Sequence, residues 1–404
     1  MTAPRKLRLG GLAALVGLTL IATGCGSDDS SVSAAAETSP AKTTGTEKGR
    51  VAVSYEGGIA VLDATSLEIV EQFETEEFTR LNAAGDGKHV FVTTSKGFQL
   101  LDTVTPALTG LTSEATTAGH VVRHAGNTVL FDDGTGKTSI LKTDELAAAT
   151  DALPEAQTYT AEKPHHGVSI VLEDGTLVTT VGDETTRTGA VALEADGENW
   201  KELATSAECP GIHGEGTAAD EAVIFGCENG ALLFQDGKFE KFTAPDEFGR
   251  MGNAFVSETS PVVVGDYKDD PDAEGYLLNS VALIDTEKRD YKVVELPENV
   301  QYTFRDVARG PGDLAYILST DGSIHVLDPE TGKIEKEFPV VDAWEGPVEW
   351  QDAHPAIIAN GDVAYVTEPA KKTVHAVDLN TGETTASVTL EGTPNEIAAT
   401  LGAH

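Results

Sequence analysis

A pair of short apolar strands around a tight turn recurs along the chain from residue 51 onward. The pattern is clearest at residues 51–55 with 59–63, and it returns at residues 89–93 with 97–101, 314–318 with 323–328, and 363–367 with 373–378. Weaker copies begin near Thr128, Leu177, Ala222 and Val262. The eight copies are about 45 residues apart on average, an interval typical of a four-stranded β-propeller blade.

The two ends of the repeat region complement each other. The first copy begins at its second strand, whereas residues 393–401 resemble an innermost strand with no blade after it. A C-terminal strand that completes the first blade would close the ring and leave no long sheet edge exposed. We therefore predict an all-β fold, a single β-propeller of eight blades. Seven blades and a pair of smaller β domains remain as alternatives.

The first 48 residues have the features of an export signal and a linker. Basic residues Arg5, Lys6 and Arg8 precede an apolar run at 12–21, and small residues then lead to Cys25 in a segment that resembles a bacterial lipobox. We predict a signal peptide at 1–24, lipidation of Cys25, a flexible lipid-anchored tether at 25–48 and a propeller domain at 49–404. The protein would then be an exported lipoprotein on the outer face of the cell membrane. An ordinary secretory signal is the alternative.

The acidic composition of the chain argues against nucleic acid as a partner. The chain has 66 acidic and 28 basic residues, a net charge of −38, which argues against nucleic acid and attracts cations in general. The sequence also lacks the nucleophile elbow, the zinc-protease helix, the phosphate loop and the dinucleotide fingerprint. We therefore predict a binding protein rather than an enzyme.

Four histidines occupy the same phase of the repeat. Each lies eight to eleven residues before the second strand of its own unit, at the start of the expected innermost strand: His120, His166, His213 and His354. Because innermost strands line the channel of a propeller, these side chains are expected to converge at one end of it. Converging neutral imidazoles predict a divalent-metal site, best suited to zinc. Imidazole sites also hold copper or nickel.

Other polar residues near these histidines could complete the coordination or orient a ligand. They are His165, His124, Asp352 and Glu215. A carboxylate at such a position could be a fourth ligand or could fix the tautomer of a histidine. The alternative for every histidine is a hydrogen-bonded structural role at the end of a blade.

Two cysteines remain once Cys25 is assigned to the anchor. The midpoint of Cys209 and Cys227 falls at Ala218, within the expected reversal between the first two strands of the fifth unit. Such a pair would face each other across an antiparallel hairpin, at a separation that suits a disulfide. A thiolate metal site is the alternative.

Several segments together resemble the periplasmic zinc metallochaperones of the AztD family. They are residues 163–167 (KPHHG), 209–215 (CPGIHGE), 225–230 (FGCENG) and His354 with 364–368 (AYVTE). The resemblance implies a propeller that binds zinc and delivers it to the solute-binding protein of a zinc ABC importer. It assigns zinc binding to His166, His213 and His354, and it also implicates His120 and His165 by a looser match. The tether lacks the histidine-rich segment of that family.

Two other functions are compatible with these patterns. A surface propeller could bind a protein or a glycan through its loops while the histidines serve structure. A propeller hydrolase or lyase could instead use a channel metal with Glu215 as general base.

Overall fold

A computed structural model describes residues 49–197 and 199–400. In these ranges the chain forms eight four-stranded antiparallel sheets, the blades of a β-propeller, and one short extra strand on the fifth sheet. The prediction of an eight-bladed all-β propeller is confirmed. The predicted signal peptide, Cys25 and the tether lie outside the described residues. No helix in the described ranges is long and apolar enough to cross a membrane.

Each blade is given with its innermost strand first. Blade 1 consists of β33 (Pro394–Thr400), β1 (Arg50–Tyr55), β2 (Gly58–Asp63) and β3 (Ile69–Glu74), and blade 2 consists of β4 (Leu81–Ala83), β5 (His89–Thr94), β6 (Gly97–Asp102) and β7 (Ala107–Glu114). Blade 3 consists of β8 (Ala118–His124), β9 (Asn127–Asp132), β10 (Lys137–Lys142) and β11 (Gln157–Thr160). Blade 4 consists of β12 (Ser169–Val171), β13 (Leu177–Gly182), β14 (Arg187–Asp196) and β15 (Asn199–Ser206).

The second half of the ring continues the pattern. Blade 5 consists of β16 (His213–Ala218), β17 (Ala222–Cys227), β18 (Asn229–Gln235) and β19 (Lys238–Thr243), with β20 (Gly249–Arg250) beside β18. Blade 6 consists of β21 (Ala254–Phe255), β22 (Val262–Tyr267), β23 (Ser280–Asp285) and β24 (Asp290–Glu295), and blade 7 consists of β25 (Val307–Arg309), β26 (Ala315–Leu318), β27 (Ser323–Asp328) and β28 (Lys333–Pro339). Blade 8 consists of β29 (Ala356–Asn360), β30 (Val363–Glu368), β31 (Thr373–Asp378) and β32 (Thr384–Thr389). One short helix, α1 (Thr143–Ala147), follows β10.

The C-terminal strand closes the ring, as predicted. Strand β33 pairs antiparallel with β1, with Arg50 opposite Thr400 and Val53 opposite Ile397. A hydrogen bond between the Thr103 and Thr400 hydroxyls, 3.0 Å long, ties the last strand to blade 2. The closure covers the inner edge of β1, which would otherwise be unpaired and open to association with another strand.

The core lies between neighbouring blades. All six residues of β2 are buried, whereas those of the outer strand β3 alternate between exposed and half-buried. Tyr365 and Val374 of blade 8 pack with Val53 and Leu62 of blade 1 in one apolar cluster. Removal of such apolar surface from water, about 25 cal/mol per Å², is what holds the separate sheets together.

Aspartates close many of the turns that end the third strand of a blade. The carboxylates of Asp63, Asp285 and Asp378 each accept hydrogen bonds from the backbone N–H groups two and three residues later. Gly332 and Gly382 follow in two such turns with φ of 71° and 78°, a conformation that favours glycine. These local signals explain why the blade register could be predicted from the sequence.

Cys209 and Cys227 form a disulfide with a Cα–Cα distance of 4.9 Å. The pairing was predicted, but its setting differs from the predicted cross-strand pair. Strand β16 begins only at His213, because Pro210 and Gly211 make a turn in which Ile212 N–H donates to the Cys209 carbonyl. The disulfide therefore joins this turn to the end of β17, next to the segment that carries His213.

Candidate metal centre

Three histidines from three consecutive blades meet at one end of the channel. His120 lies on β8, His166 lies three residues before β12, and His213 is the first residue of β16. Their ligand atoms all lie within 4.8 Å of one another, and theirs is the one group of three or more potential metal ligands found in the described residues. The shared phase of these residues in the repeat places them at the same height of adjacent innermost strands.

The spacing of the imidazole nitrogens suits a single small cation. The Nε2 atom of His166 lies 3.4 Å from Nε2 of His120 and 3.1 Å from Nε2 of His213. A tetrahedral zinc ion with Zn–N bonds of about 2.0–2.1 Å separates its ligand nitrogens by about 3.3 Å. The two distances lie on either side of that value.

Hydrogen bonds on the opposite side of two of the rings fix which nitrogen is available. The Nδ1 atom of His213 lies 2.6 Å from the Gly252 carbonyl, which can only accept, so Nδ1 carries the proton. The Nδ1 atom of His166 donates in the same way to the Asp133 carboxylate at 2.5 Å. In the neutral rings both Nε2 atoms therefore present lone pairs to each other. Two lone pairs at 3.1 Å repel unless a cation lies between them.

Protonation is disfavoured at two of the three rings. Burial, and then the positive charges of His213 and His166, hold the pKa of His120 well below its ordinary value. Burial also lowers the pKa of His213 to about 3, with smaller contributions from His166, Arg187 and Arg250. Because metal ligation requires the neutral imidazole, these shifts keep both ligands available at neutral pH.

The three histidines open into a cavity of about 590 Å³ at the channel mouth. Its other walls come from blades and loops around the ring and combine cationic with aromatic groups. They include Arg80, Arg250, Lys268, Phe248, Tyr276, Phe304 and Trp350. His166 has a side chain that is 45% exposed, so an ion bound to it could be reached from solvent.

His354, the fourth histidine predicted as a ligand, lies on blade 8 and does not join this group. Two blades lie between it and blade 5 in one direction, and two lie between it and blade 3 in the other. Its ring packs against Phe304 and Trp344 at centroid distances of 6.1 and 6.4 Å, and its Nδ1 donates to the Asp352 carbonyl. Burial lowers the pKa of His354 to about 4. His354 shares the phase of the other three histidines, but its blade lies too far around the ring from blades 3 to 5 for its side chain to join their cluster.

The remaining predicted groups have other partners. His165 is buried and bonds to the Lys163 carbonyl and the Thr180 hydroxyl. His124 lies 2.9 Å from a carboxylate oxygen of Glu221. Glu215 lines a separate cavity with His124, and burial raises its pKa to about 7. The Asp352 carboxylate accepts from the Glu349 N–H. In the structure none of these four lies among the three clustered histidines.

Sequence reasoning missed the groups that orient the ligands. Asp133 lies in the turn after β9, where an aspartate is an ordinary turn residue, and its contact with His166 crosses to the next blade. The Gly252 carbonyl is a backbone group that no side-chain pattern could indicate. No spacing in the sequence distinguishes either group, since both depend on how neighbouring blades pack.

The chain is similar in sequence to a zinc chaperone. No known family profile matches the chain. The zinc chaperone AztD of Citrobacter koseri is 23% identical over 311 residues, which cover 75% of this chain and 70% of that protein.

Two solved structures show the same fold. Apo AztD from Citrobacter koseri superimposes with a TM-score of 0.71 at 21% identity, over 88% of this chain and 98% of that one. The dihydro-heme d1 dehydrogenase NirN gives a TM-score of 0.60 at 13% identity, over 90% of this chain and 77% of that one. The chain is therefore related to AztD by sequence and has the β-propeller fold of AztD, which confirms the predicted resemblance to the AztD family.

Proposed function

We propose that this protein is a zinc chaperone that binds one zinc ion through His120, His166 and His213. The observation that carries the proposal is the pair of Nε2 lone pairs of His166 and His213, held 3.1 Å apart by hydrogen bonds on the far side of each ring. The relationship to the zinc chaperone AztD supports the same function. Zinc is the cargo here, and the protein needs only to hold it and release it.

The geometry suits exchange of the ion with a second protein. Three histidine ligands leave a fourth tetrahedral position, and the cavity gives access to it. A partner's ligand can occupy that position first and then displace the histidines one at a time, with the exposed His166 in reach. Stepwise exchange avoids the high cost of releasing a bare ion. We propose that the recipient is the solute-binding protein of a zinc ABC importer.

The proposed location is outside the cytoplasm. The Cys209–Cys227 disulfide is compatible with an oxidising compartment. A signal peptide at 1–24 and lipidation of Cys25 would anchor the propeller, residues 49–404, by the tether at 25–48 to the outer face of the cell membrane. Such an anchor would keep the chaperone close to a membrane importer.

Metal content and competitive titration of the purified protein test the binding step. We expect one tightly bound zinc per chain, lost in a variant that combines His166→Ala with His213→Ala. His375→Ala is the matched control, because His375 bonds to Glu368 and Ser387 on blade 8, away from the site. Full zinc affinity in the double variant would contradict the proposal.

Transfer is tested separately. Zinc-loaded protein is mixed with a metal-free solute-binding protein in the presence of an excess of a chromophoric chelator. Direct exchange predicts that zinc reaches the partner while the chelator stays colourless. Quantitative capture of the zinc by the chelator would show release into solution and would rule out direct transfer.

A further inference from the structure

The cavity beside the three histidines is much larger than a metal ion needs. Its volume is about 590 Å³, within the range of about 300–1,000 Å³ that is typical of small-molecule sites. A single water molecule takes up only about 30 Å³ of the liquid. The cavity thus has room for an organic molecule next to the bound ion.

The charge of the cavity is opposite to that of the protein. The chain has a net charge of −38, yet the cavity wall contains three cationic side chains, Arg80, Arg250 and Lys268, and one carboxylate, Asp266. The Asp266 carboxylate is buried and already accepts from the Gly252 N–H and from the N–H and side-chain amide of Asn253. Its hydrogen-bonding capacity is therefore used within the protein.

The cationic groups keep capacity for a ligand. Within the described residues, the Arg250 guanidinium donates a single long hydrogen bond of 3.4 Å to the Gly211 carbonyl. The Arg80 guanidinium lies 5.9 Å from the ring centre of Trp350, and its Nε is 3.9 Å from Glu396. That glutamate is more closely paired with Arg305, at 2.6 Å. An anion in the cavity would gain charge-assisted hydrogen bonds from Arg80 and Arg250, which the protein engages only weakly, whereas Lys268 already donates to the Ala273 carbonyl at 3.0 Å.

The metal centre adds to this positive field. Three neutral imidazoles leave the charge of a bound zinc ion uncompensated, apart from the Asp133 carboxylate behind His166 and the Asp266 carboxylate in the cavity wall. The aromatic residues Phe304, Tyr276 and Trp350 supply apolar surface on the other walls. Cations, aromatic rings and an open coordination position in one cavity together define the chemistry of its ligand.

We propose that this cavity binds a small organic carboxylate with an aromatic or apolar body. The carboxylate lies against Arg80 and Arg250 and reaches the fourth coordination position of zinc, while the carbon body packs on Trp350 and Phe304. Such a ligand would close the coordination sphere during storage of the ion and would leave before a protein partner takes its place. The coordination step depends on the proposed zinc site, whereas binding of the carboxylate to Arg80 and Arg250 does not.

Benzoate and its uncharged analogue benzamide are suitable probes. Binding is measured by calorimetry and by quenching of tryptophan fluorescence, with metal-free and zinc-loaded protein side by side. We expect saturable binding of one benzoate, at least about tenfold weaker binding of benzamide, and tighter benzoate binding after zinc loading. Arg250→Gln and Arg80→Gln should each weaken benzoate binding by about tenfold.

Matched controls separate charge from folding. Lys201→Gln removes an exposed cation that pairs with Glu194 on blade 4, and it should leave benzoate binding unchanged. Lys268→Gln provides a further cavity variant if an arginine variant has a lowered melting temperature. Equal binding of benzoate and benzamide, or full benzoate affinity in the cavity variants, would overturn the carboxylate site.

The two proposals fail in different ways. Benzoate affinity that is the same with and without bound zinc would overturn the coordination step. Tight zinc binding with no saturable benzoate binding in either form would overturn the carboxylate site and leave the zinc site intact. Charge-dependent benzoate binding to a protein that binds no zinc would instead support the carboxylate site and contradict the proposed zinc function.

Discussion

The Asp133 carboxylate lies 2.5 Å from Nδ1 of His166, a contact that joins the turn after β9 in blade 3 to the segment before β12 in blade 4. The two side chains differ in exposure, 15% for Asp133 and 45% for His166. The less exposed carboxylate thus holds a ring that faces the cavity. It fixes the proton of His166 on Nδ1 and turns Nε2 toward the other two histidines.

Replacing this carboxylate should weaken the metal site while all three histidines remain. We expect Asp133→Asn to lower zinc affinity by about 10–100-fold, because the charged partner that orients the His166 ring and fixes its tautomer is lost. Competitive titration measures the change. Asp196→Asn, at the exposed end of β14, is the control and should retain full affinity. Unchanged affinity in Asp133→Asn would mean that His166 needs no such support.

His354→Ala should retain zinc affinity, because His354 lies on blade 8 against Phe304 and Trp344 rather than with the three clustered histidines. The same variant should lose about 1–3 kcal/mol of unfolding free energy, because a buried aromatic contact is removed. Titration with zinc and thermal unfolding measure the two effects independently. A large loss of zinc affinity without a loss of stability would make His354 a ligand after all.

The disulfide should contribute to both stability and metal binding. Cys209 and Cys227 are 18 residues apart in the chain, and a loop of this size predicts a stabilisation of about 3 kcal/mol. We expect a variant with both cysteines changed to alanine to unfold at a lower temperature and to bind zinc more weakly, because the turn before His213 is no longer fixed. Thermal unfolding with and without zinc tests this. The reductant-treated wild type is the control, provided that mass spectrometry shows both thiols free.

The carboxyl group of Asp306 should make stability depend on pH. Asp306 is buried, one of its oxygens accepts from the Thr303 N–H at 2.6 Å, and burial raises its pKa to about 8. Between about pH 4 and pH 8 the folded protein then keeps a proton that the unfolded chain has lost. The contribution of Asp306 to the free energy of unfolding therefore falls as pH rises through this window, by up to about 1.4 kcal/mol per pH unit.

Asp306→Asn isolates that contribution, because an amide oxygen can still accept from Thr303 but does not ionise. We expect the variant to gain stability over the wild type as pH rises from 4 to 8, measured by chemical unfolding at each pH. Asp272→Asn, in an exposed loop, serves as the control. Parallel stability curves for Asp306→Asn and the wild type would show that Asp306 is ionised in the folded protein.

Most of the fold could be predicted because its signals are local. Strands 323–328 and 373–378 were predicted with the bounds that the structure has, since apolar runs and aspartate or glycine turns lie within a few residues of each other. Ring closure depends on two strands that are far apart in the chain. It could still be predicted, because the repeat lacks an inner strand at its N-terminal end and has a surplus strand at its C-terminal end. The position of Cys209 outside the hairpin could not be predicted from such local signals, because the turn at Pro210 makes β16 begin only at His213.

The phase of a residue within a repeat is a one-dimensional property, so the sequence was enough to place four histidines at or near the start of innermost strands. Which of these histidines meet depends on the folded ring. Blades 3, 4 and 5 are neighbours in the ring, so His120, His166 and His213 converge, while blade 8 holds His354 across the channel. The contacts of Asp133 and Gly252 with these rings likewise pass between blades. The positions of blades around the ring and the packing between neighbouring sheets exist only in the closed fold. They therefore cannot be predicted from the spacing of residues in the sequence.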